Sequence, residues 1–410
     1  MSFFPKFFCS QLVTENAKNK STIYCYWLMS LYGVSIVMIG TLVPELLQYF
    51  EVSLSDIGFL MTIQCFGGIL ALFLGSRFAE KVKKSLIIPI AFGSLGLGLL
   101  VVGYSASFLV LQTAFFLTGF FIRITDIFLN AFVGQIHQEN SGIYLNRLHM
   151  FFSIGAFTGP FYSGMLIKLD FHWQQIYSII GILFVVSALL GCWFILPIGK
   201  MHQTQSPMHR APVNFLEIIQ DPKIWILGAT LLFYSFHQLS VTVWLPYYME
   251  DSLGASKEMA NLAISLFWFG IILGRFFVSI IVKNQDPARL LSFGAVVGAF
   301  LLVVGIYSRD IFLTTSAYFI VGLLTGAVIP LAFTICYKIF PEVIALATTF
   351  LSIFLLSGQM VGPWLLGVSA EMFSINNAIF LTVITLFGCT VVWKLVSPPI
   401  ASIPTKPALR

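Results

Sequence analysis

Arg123, Asp126 and Asn130 stand at i, i+3 and i+7 in an otherwise apolar stretch, which places them on one face of a helix. Asn146, His149 and Ser153 repeat that spacing in the next apolar stretch. An ionisable side chain at the centre of a membrane helix costs roughly 3 kcal/mol or more, so such groups mark function. Burial favours the neutral form of Asp126, whereas Arg123 or Arg147 beside it favours the charged form. A carboxylate between these influences can take up and release a proton as its access changes. A permanent Arg123–Asp126 pair that only locks the helix is the structural alternative. His149 can relay a proton, hydrogen-bond a substrate or satisfy a neighbour. Arg147 sits close enough to the membrane surface to snorkel. Asp126 and His149 each lie about seven residues from the same end of their spans, roughly 10 Å deep. They are therefore expected to face each other or a shared water-filled cavity.

The elements that must hold these groups are membrane spans. Of 410 residues, 58% are apolar and only 10% charged, against about a quarter charged in a soluble domain. The apolar residues fall in runs of roughly 20 or more, the length that crosses a hydrocarbon core of about 30 Å. Runs such as Leu86–Tyr104 and Ile176–Ile195 contain no charge. The pattern predicts an all-α membrane protein with spans at 22–48, 54–76, 86–105, 107–133, 142–168, 173–197, 222–249, 257–282, 287–307, 310–338, 342–369 and 374–397. The polar first 21 residues lack a small-residue cleavage site, and the first apolar run is too long for a signal-peptide core, so it is expected to remain as span 1. With the N-terminus in the cytoplasm, sixteen of the 22 Lys and Arg fall in cytoplasmic segments or at cytoplasmic span ends. Only Lys168, Lys257 and Arg309 lie outside, as the positive-inside rule requires. Both termini are then expected in the cytoplasm of a multi-pass inner-membrane protein.

The longest loop divides the chain into a six-helix bundle at 1–198, a cytoplasmic linker at 199–221, a second six-helix bundle at 222–398 and a cytoplasmic tail at 399–410. The bundles repeat one another at an offset of 203 residues. Gly67 maps to Gly270, Gly119 to Gly322, and the run Gly155, Gly159, Pro160, Gly164 to Gly358, Gly362, Pro363, Gly367. Pro44 and Pro246 are related by 202. Parallel six-helix repeats imply a substrate site at their interface near the midplane, opened alternately by rocking of the halves. The same offset maps Asp126 to Ile329, Arg123 to Gly326, Asn146 to Thr349 and His149 to Ser352, so the deep carboxylate is confined to the first half. The second half offers His237, Gln238, Trp244, Asn261, Trp268 and Gln359. Ion coupling is thus expected from the first half and substrate shaping mainly from the second.

At this point the chain resembles the major facilitator superfamily over nearly its whole length. That family's loop motif between spans 2 and 3, Gly-x-Leu-Ala-Asp-Arg-x-Gly-Arg-Lys, stands here as Ser76-Arg77-Phe78-Ala79-Glu80-Lys81-Val82-Lys83-Lys84-Ser85. Its acid and basic residues survive and both glycines are replaced. The resemblance implies a conformational latch built from Arg77, Glu80 and Arg275; a basic loop that only fixes topology is the alternative. Asp126-x3-Asn130, followed by Leu145-Asn146-x2-His149-x5-Gly155-Ala156, resembles the fucose–glucose:proton symporter branch. That likeness implies Asp126 as the proton-linked acid, with Arg123 and His149 beside it, and Asn130 and Asn146 along a sugar path. Gln238 six before Trp244 fits the same branch, and His237, Trp268 and Gln359 complete the expected substrate residues. Where fucose permeases carry an Asp shortly before a Leu-Pro in span 1, Gly40-Thr41 precede Leu42-Val43-Pro44 here.

Expected partners are a small polar solute, protons (with sodium as an open alternative) and the bilayer, the chain acting as a monomer without cofactor. The rival reading is a proton-coupled efflux antiporter, cued by Gly155-x3-Gly159-Pro160-x3-Gly164. No Gly-x4-Gly-Lys-Ser/Thr phosphate loop is present, which excludes an ATP-driven pump of that type. No nucleophile–base arrangement points to an enzyme. The six cysteines are scattered without metal-ligand spacing.

Overall fold

A computed structural model describes residues 4–78, 82–195, 215–281, 287–341 and 343–400. The helices are α1 (Phe4–Phe50), α2 (Leu54–Phe78), α3 (Lys84–Gly103), α4 (Phe108–Ile136), α5 (Ser141–Lys168), α6 (Trp173–Phe194), α7 (Phe215–Gln220) and α8 (Pro222–Leu253). They continue with α9 (Lys257–Ile281), α10 (Pro287–Ser308), α11 (Ile311–Thr325), α12 (Val328–Ile339), α13 (Ile344–Phe373), α14 (Ile375–Ala378) and α15 (Phe380–Ile400). Among the described residues there is no strand. In hydrocarbon every backbone N–H and C=O needs an internal partner, and a helix supplies it within one segment. Eleven described segments are long and apolar enough to cross a membrane, with a shorter apolar helix at Ile375–Thr390. The all-α membrane architecture read from the sequence therefore holds.

Local chemistry sets the helix ends. Ser107 accepts from Val110 N–H at the start of α4, Asp221 from Lys223 N–H at 2.9 Å before α8, and Asp310 from Leu313 N–H at 2.7 Å before α11. These are N-cap bonds that satisfy otherwise orphaned donors. Gly254 closes α8 with φ at 63°, a left-handed position open to glycine.

The chain divides into two compact units, Met1–Val52 with Phe59–His209, and Ser53–Gly58 with Arg210–Arg410. In the first, α1 lies along α5, and α3 packs between α6 and α4. Phe92 of α3 stacks on Phe184 of α6 with ring centroids 4.3 Å apart. In the second, α8 lies along α13, and α10 packs against α15 and α11. The internal layout is the same in each. Without a hydrophobic drive between helices in lipid, small residues decide how closely backbones approach. Gly119 of α4 lies directly against the Gln64 backbone of α2, and its counterpart Gly322 against the Phe267 backbone of α9. Gly155 of α5 rests on the Ser30 carbonyl of α1, and Gly358 of α13 on the Leu232 carbonyl of α8. Both partners lie one repeat apart, so the offset seen in sequence returns as matched helix crossings.

The expected span 310–338 stands as one apolar span, Ile311–Ile339, whose helix is interrupted at residues 326–327. Helix α11 ends at Thr325 and α12 begins at Val328. Pro330 has no N–H to give the carbonyl four residues before it, that of Gly326. Arg275 of α9 fills the gap: its Nε donates to Gly326 O at 3.1 Å. Arg275→Ala should destabilise the protein by about 1–3 kcal/mol, the range for a buried acceptor left unmet. Adding Pro330→Ala returns an N–H to that carbonyl, so the double variant should melt above Arg275→Ala alone. Thermal melts of the three purified variants check this; simple addition of the two losses would refute it.

Candidate functional site

Helix α4 is longer than expected, so Asp126 lies about 15 Å from its C-terminal end and about 27 Å from its N-terminal end at 1.5 Å per residue. The residues around it come from one helix face, as the spacing predicts. Arg123 Nη1 donates to Asp126 Oδ2 at 3.0 Å, with the two side chains only 15% and 19% exposed. Asn130 Nδ2 donates to Asp126 Oδ1 at 2.9 Å and to the Asp126 carbonyl at 2.8 Å. Each carboxylate oxygen therefore has its own donor, a charge-assisted one on Oδ2. Arg123 Nε is buried and has no hydrogen-bond partner.

Two further groups on other helices complete this cluster, and neither was singled out from the sequence. Tyr32 of α1, 8% exposed, feels the charges of both Asp126 and Arg123. Cys65 of α2 lies within electrostatic reach of Arg123. The 202-residue offset of the proline pair could have flagged Tyr32, because it maps to Tyr234. Tyr234 in turn senses Arg275. Each unit thus sets a buried tyrosine near a membrane-level arginine, with Arg123 drawn from α4 and Arg275 from α9.

The hydrogen bonds to the Asp126 side chain given above come from within α4. Helix α5 packs mainly on α1 rather than α4. Asn146 and His149 are exposed on α5, and Ser153 Oγ donates to the His149 carbonyl at 3.1 Å. Arg147 lies over the Tyr144 ring, 5.6 Å from its centroid. The cluster hydrogen bonds of Asp126 are intrahelical because i+3 and i+4 neighbours need no helix-to-helix register to meet.

In the second unit, Gln238 Nε2 donates to Tyr234 OH at 3.3 Å. His237 is fully buried, its Nδ1 at 2.9 Å from the Thr382 carbonyl of α15 and its Nε2 without a partner. Trp244 is also fully buried, and its Nε1 donates to the Pro363 carbonyl of α13 at 2.9 Å. Its indole thereby ties two helices together. Trp268 is 3% exposed and packs edge-on to Phe267, Asn261 is 5% exposed, and Gln359 is half-buried. Gln238 is therefore bonded to Tyr234, which senses the charge of Arg275, while His237 and Trp244 are engaged at different helix contacts. Of the expected latch, Glu80 lies outside the described residues, as does the side chain of Arg77. Among the described residues no cluster of three His, Cys, Asp or Glu could hold a metal.

The model of the Major Facilitator Superfamily matches residues 25–252 and 240–408. The chain is 23% identical to the protein TsgA homolog of Buchnera aphidicola subsp. Schizaphis graminum (strain Sg), covering 77% of this chain and 80% of that one. It is 26% identical to protein TsgA of Escherichia coli O9:H4 (strain HS), over 71% of this chain and 73% of the relative. Among solved structures, a bacterial homolog of the human lysosomal transporter Spinster, inward-facing and unoccupied, superposes with a TM-score of 0.80 at 14% identity. That match covers 96% of this chain and 99% of the other. The nucleoside transporter NupG gives a TM-score of 0.75 at 12% identity, covering 93% and 99%.

Proposed function

Because the chain belongs to the Major Facilitator Superfamily, a superfamily of secondary transporters of small solutes, we propose that it moves a small polar solute, a sugar or related metabolite, by alternating access coupled to protons. The observation that carries this reading is the Asp126 carboxylate, deep in α4, with one donor on each oxygen. Exchange of the Arg123 contact for a proton changes the charge of the cluster by one, which is the elementary act of coupling. Asn130 joins the carboxylate to the substrate path, and His149 and Asn146 extend that path along α5. Gln238, His237, Trp244, Trp268 and Gln359 give the second unit its polar and aromatic share. The motif from Asp126 to Ala156 favours the fucose–glucose:proton symporter branch. The charge bias places both termini in the cytoplasm of an inner membrane.

The efflux reading draws on the glycine run of span 5. Gly155 and Gly358 meet a carbonyl of the partner helix in their respective units, so the run serves packing in each and says nothing of direction.

The test is a substrate panel on purified protein, read first by thermal shift and then by proton flux in proteoliposomes. Sugars that raise the melting temperature and drive proton entry support the proposal. Stabilisation by lipophilic cations alone, with proton exit, would replace it with efflux. Substituting choline for external sodium should leave uptake unchanged.

A further inference from the structure

Five helices of the first unit, α1, α2, α3, α4 and α6, each contribute to the wall of one small enclosed cavity. The space open to the centre of a water-sized sphere is about 10 Å³, which is the measure of one water molecule. Most of the wall is apolar, and Ile39 and Leu99 in it are buried. Four of its side chains are polar: Ser35 of α1, Gln64 of α2, Thr118 of α4 and Tyr177 of α6. None of the lining residues is Asp, Glu, Lys, Arg or His, so the site is electrically neutral.

The hydrogen bonds within this group leave both acceptors and donors over. Ser35 gives its single hydroxyl hydrogen to the Tyr32 carbonyl at 2.8 Å, and Thr118 gives its own to the Phe115 carbonyl at 2.9 Å. Both hydroxyl oxygens are therefore acceptors toward any further partner. Gln64 Nε2 donates to Thr118 Oγ1 at 3.4 Å, longer than the usual N–H···O range. Its amide carries a second N–H and a carbonyl oxygen besides, and the Tyr177 hydroxyl can give or accept. Donors and acceptors from four helices thus border one water-sized space. A polar space of that size holds water, whereas an apolar one stays dry.

The repeat shows that this polar quartet is particular to the first unit. The 203-residue offset maps Gln64 to Phe267, Thr118 to Val321 and Tyr177 to Phe380, and the 202-residue offset maps Ser35 to His237. The register is fixed by Gly119 and Gly322, which rest on the Gln64 and Phe267 backbones. In the second unit rings occupy the corresponding place. The Phe267 ring centroid lies 6.2 Å from that of His237 and 6.5 Å from that of Tyr318, the counterpart of the cavity residue Phe115. Side chains there take the room that a water takes in the first unit.

We propose that this cavity is the binding site of one internal water molecule, which accepts from Gln64 and Tyr177 and donates to the Ser35 and Thr118 oxygens. Its four hydrogen bonds join α1, α2, α4 and α6 at the centre of the unit. Apolar helix surfaces give no preferred register in lipid, and this shared water supplies one. A sodium ion is close to water in size, but its charge would be buried without a carboxylate in the wall. The water site does not rest on the coupling proposal.

The test is a crystal structure of the full-length protein at a resolution that shows ordered water, together with Thr118→Val, Tyr177→Phe and the double variant. Both substitutions remove a hydroxyl and nearly keep the shape of the side chain, so all three proteins should fold. The wild type should show one density peak within hydrogen-bond distance of at least three of the four polar side chains, and the double variant none. Each single variant should melt a few degrees below the wild type. The double variant should lose less than the sum, because its second change meets a site that is already dry. A wild-type cavity without a peak, where other internal waters are seen, would overturn the proposal. So would a peak that persists in the double variant, or losses that simply add. A peak found in sodium chloride but not in choline chloride would replace the water with a sodium ion.

Discussion

Asp126→Asn is expected to abolish concentrative uptake while leaving substrate exchange partly intact. The carboxamide has nearly the shape of the carboxylate and can still accept from Asn130, but it cannot take up a proton. It also turns a neutral ion pair into an uncompensated Arg123, whose Nη1 now donates to the carboxylate at 3.0 Å. A one-unit pH gradient is worth about 1.4 kcal/mol per proton, or roughly tenfold accumulation for one-to-one coupling. Wild-type proteoliposomes under such a gradient should approach that ratio, and Asp126→Asn should stop at about one. Counterflow exchange, which needs no net proton movement, should persist at a reduced rate. Accumulation retained by Asp126→Asn would remove the carboxylate from coupling and leave the Arg123–Asp126 pair as a helix lock. A double variant, Arg123→Gln with Asp126→Asn, separates the effects: it relieves the unpaired cation, so folding recovers while accumulation does not.

The second large effect concerns the helix crossings. A methyl group at Gly119 would come within 2.6 Å of the Gln64 carbonyl carbon and 2.9 Å of its Cα. Both atoms are backbone, so neither can rotate away, and α2 and α4 must separate to admit any larger residue. Overpacking of this kind costs about 1–3 kcal/mol and occasionally more. Gly119→Val should therefore lower the melting temperature of the purified protein strongly, and Gly322→Val should do the same through the Phe267 crossing of the second unit. Gly142 supplies the control, because nothing lies within 4 Å of a Cβ placed there. Gly142→Ala should be neutral or slightly stabilising, since Gly is about 1 kcal/mol worse than Ala inside a helix. If Gly119→Val melted alongside Gly142→Ala, the crossing would not be set by glycine.

What the sequence determined by itself is what is written along one helix or repeated between helices. Spans follow from runs of apolar residues, because a bilayer demands a fixed length of satisfied backbone. The arrangement of Arg123, Asp126 and Asn130 follows from 3.6 residues per turn alone. The matched crossings at Gly119 and Gly322 are visible as a 203-residue offset, because each needs one absent side chain at one position.

Tertiary structure decided everything that depends on which faces meet. Arg275, read as part of a latch, answers the Gly326 carbonyl that Pro330 leaves open, a pairing across two helices and 51 residues. Trp244, expected among the substrate residues of the second half, gives its N–H to the Pro363 carbonyl. Tyr32 senses the charge of Asp126 from α1, and one cavity of the first unit draws on three separate segments, 45–49, 103–106 and 171–182. The physical reason is common to all four. In hydrocarbon, apolar surface gives no preference for one partner helix over another, so register is settled by close packing and by polar groups that must find each other. Those choices are made between faces distant in sequence, and no periodicity along a single helix records them.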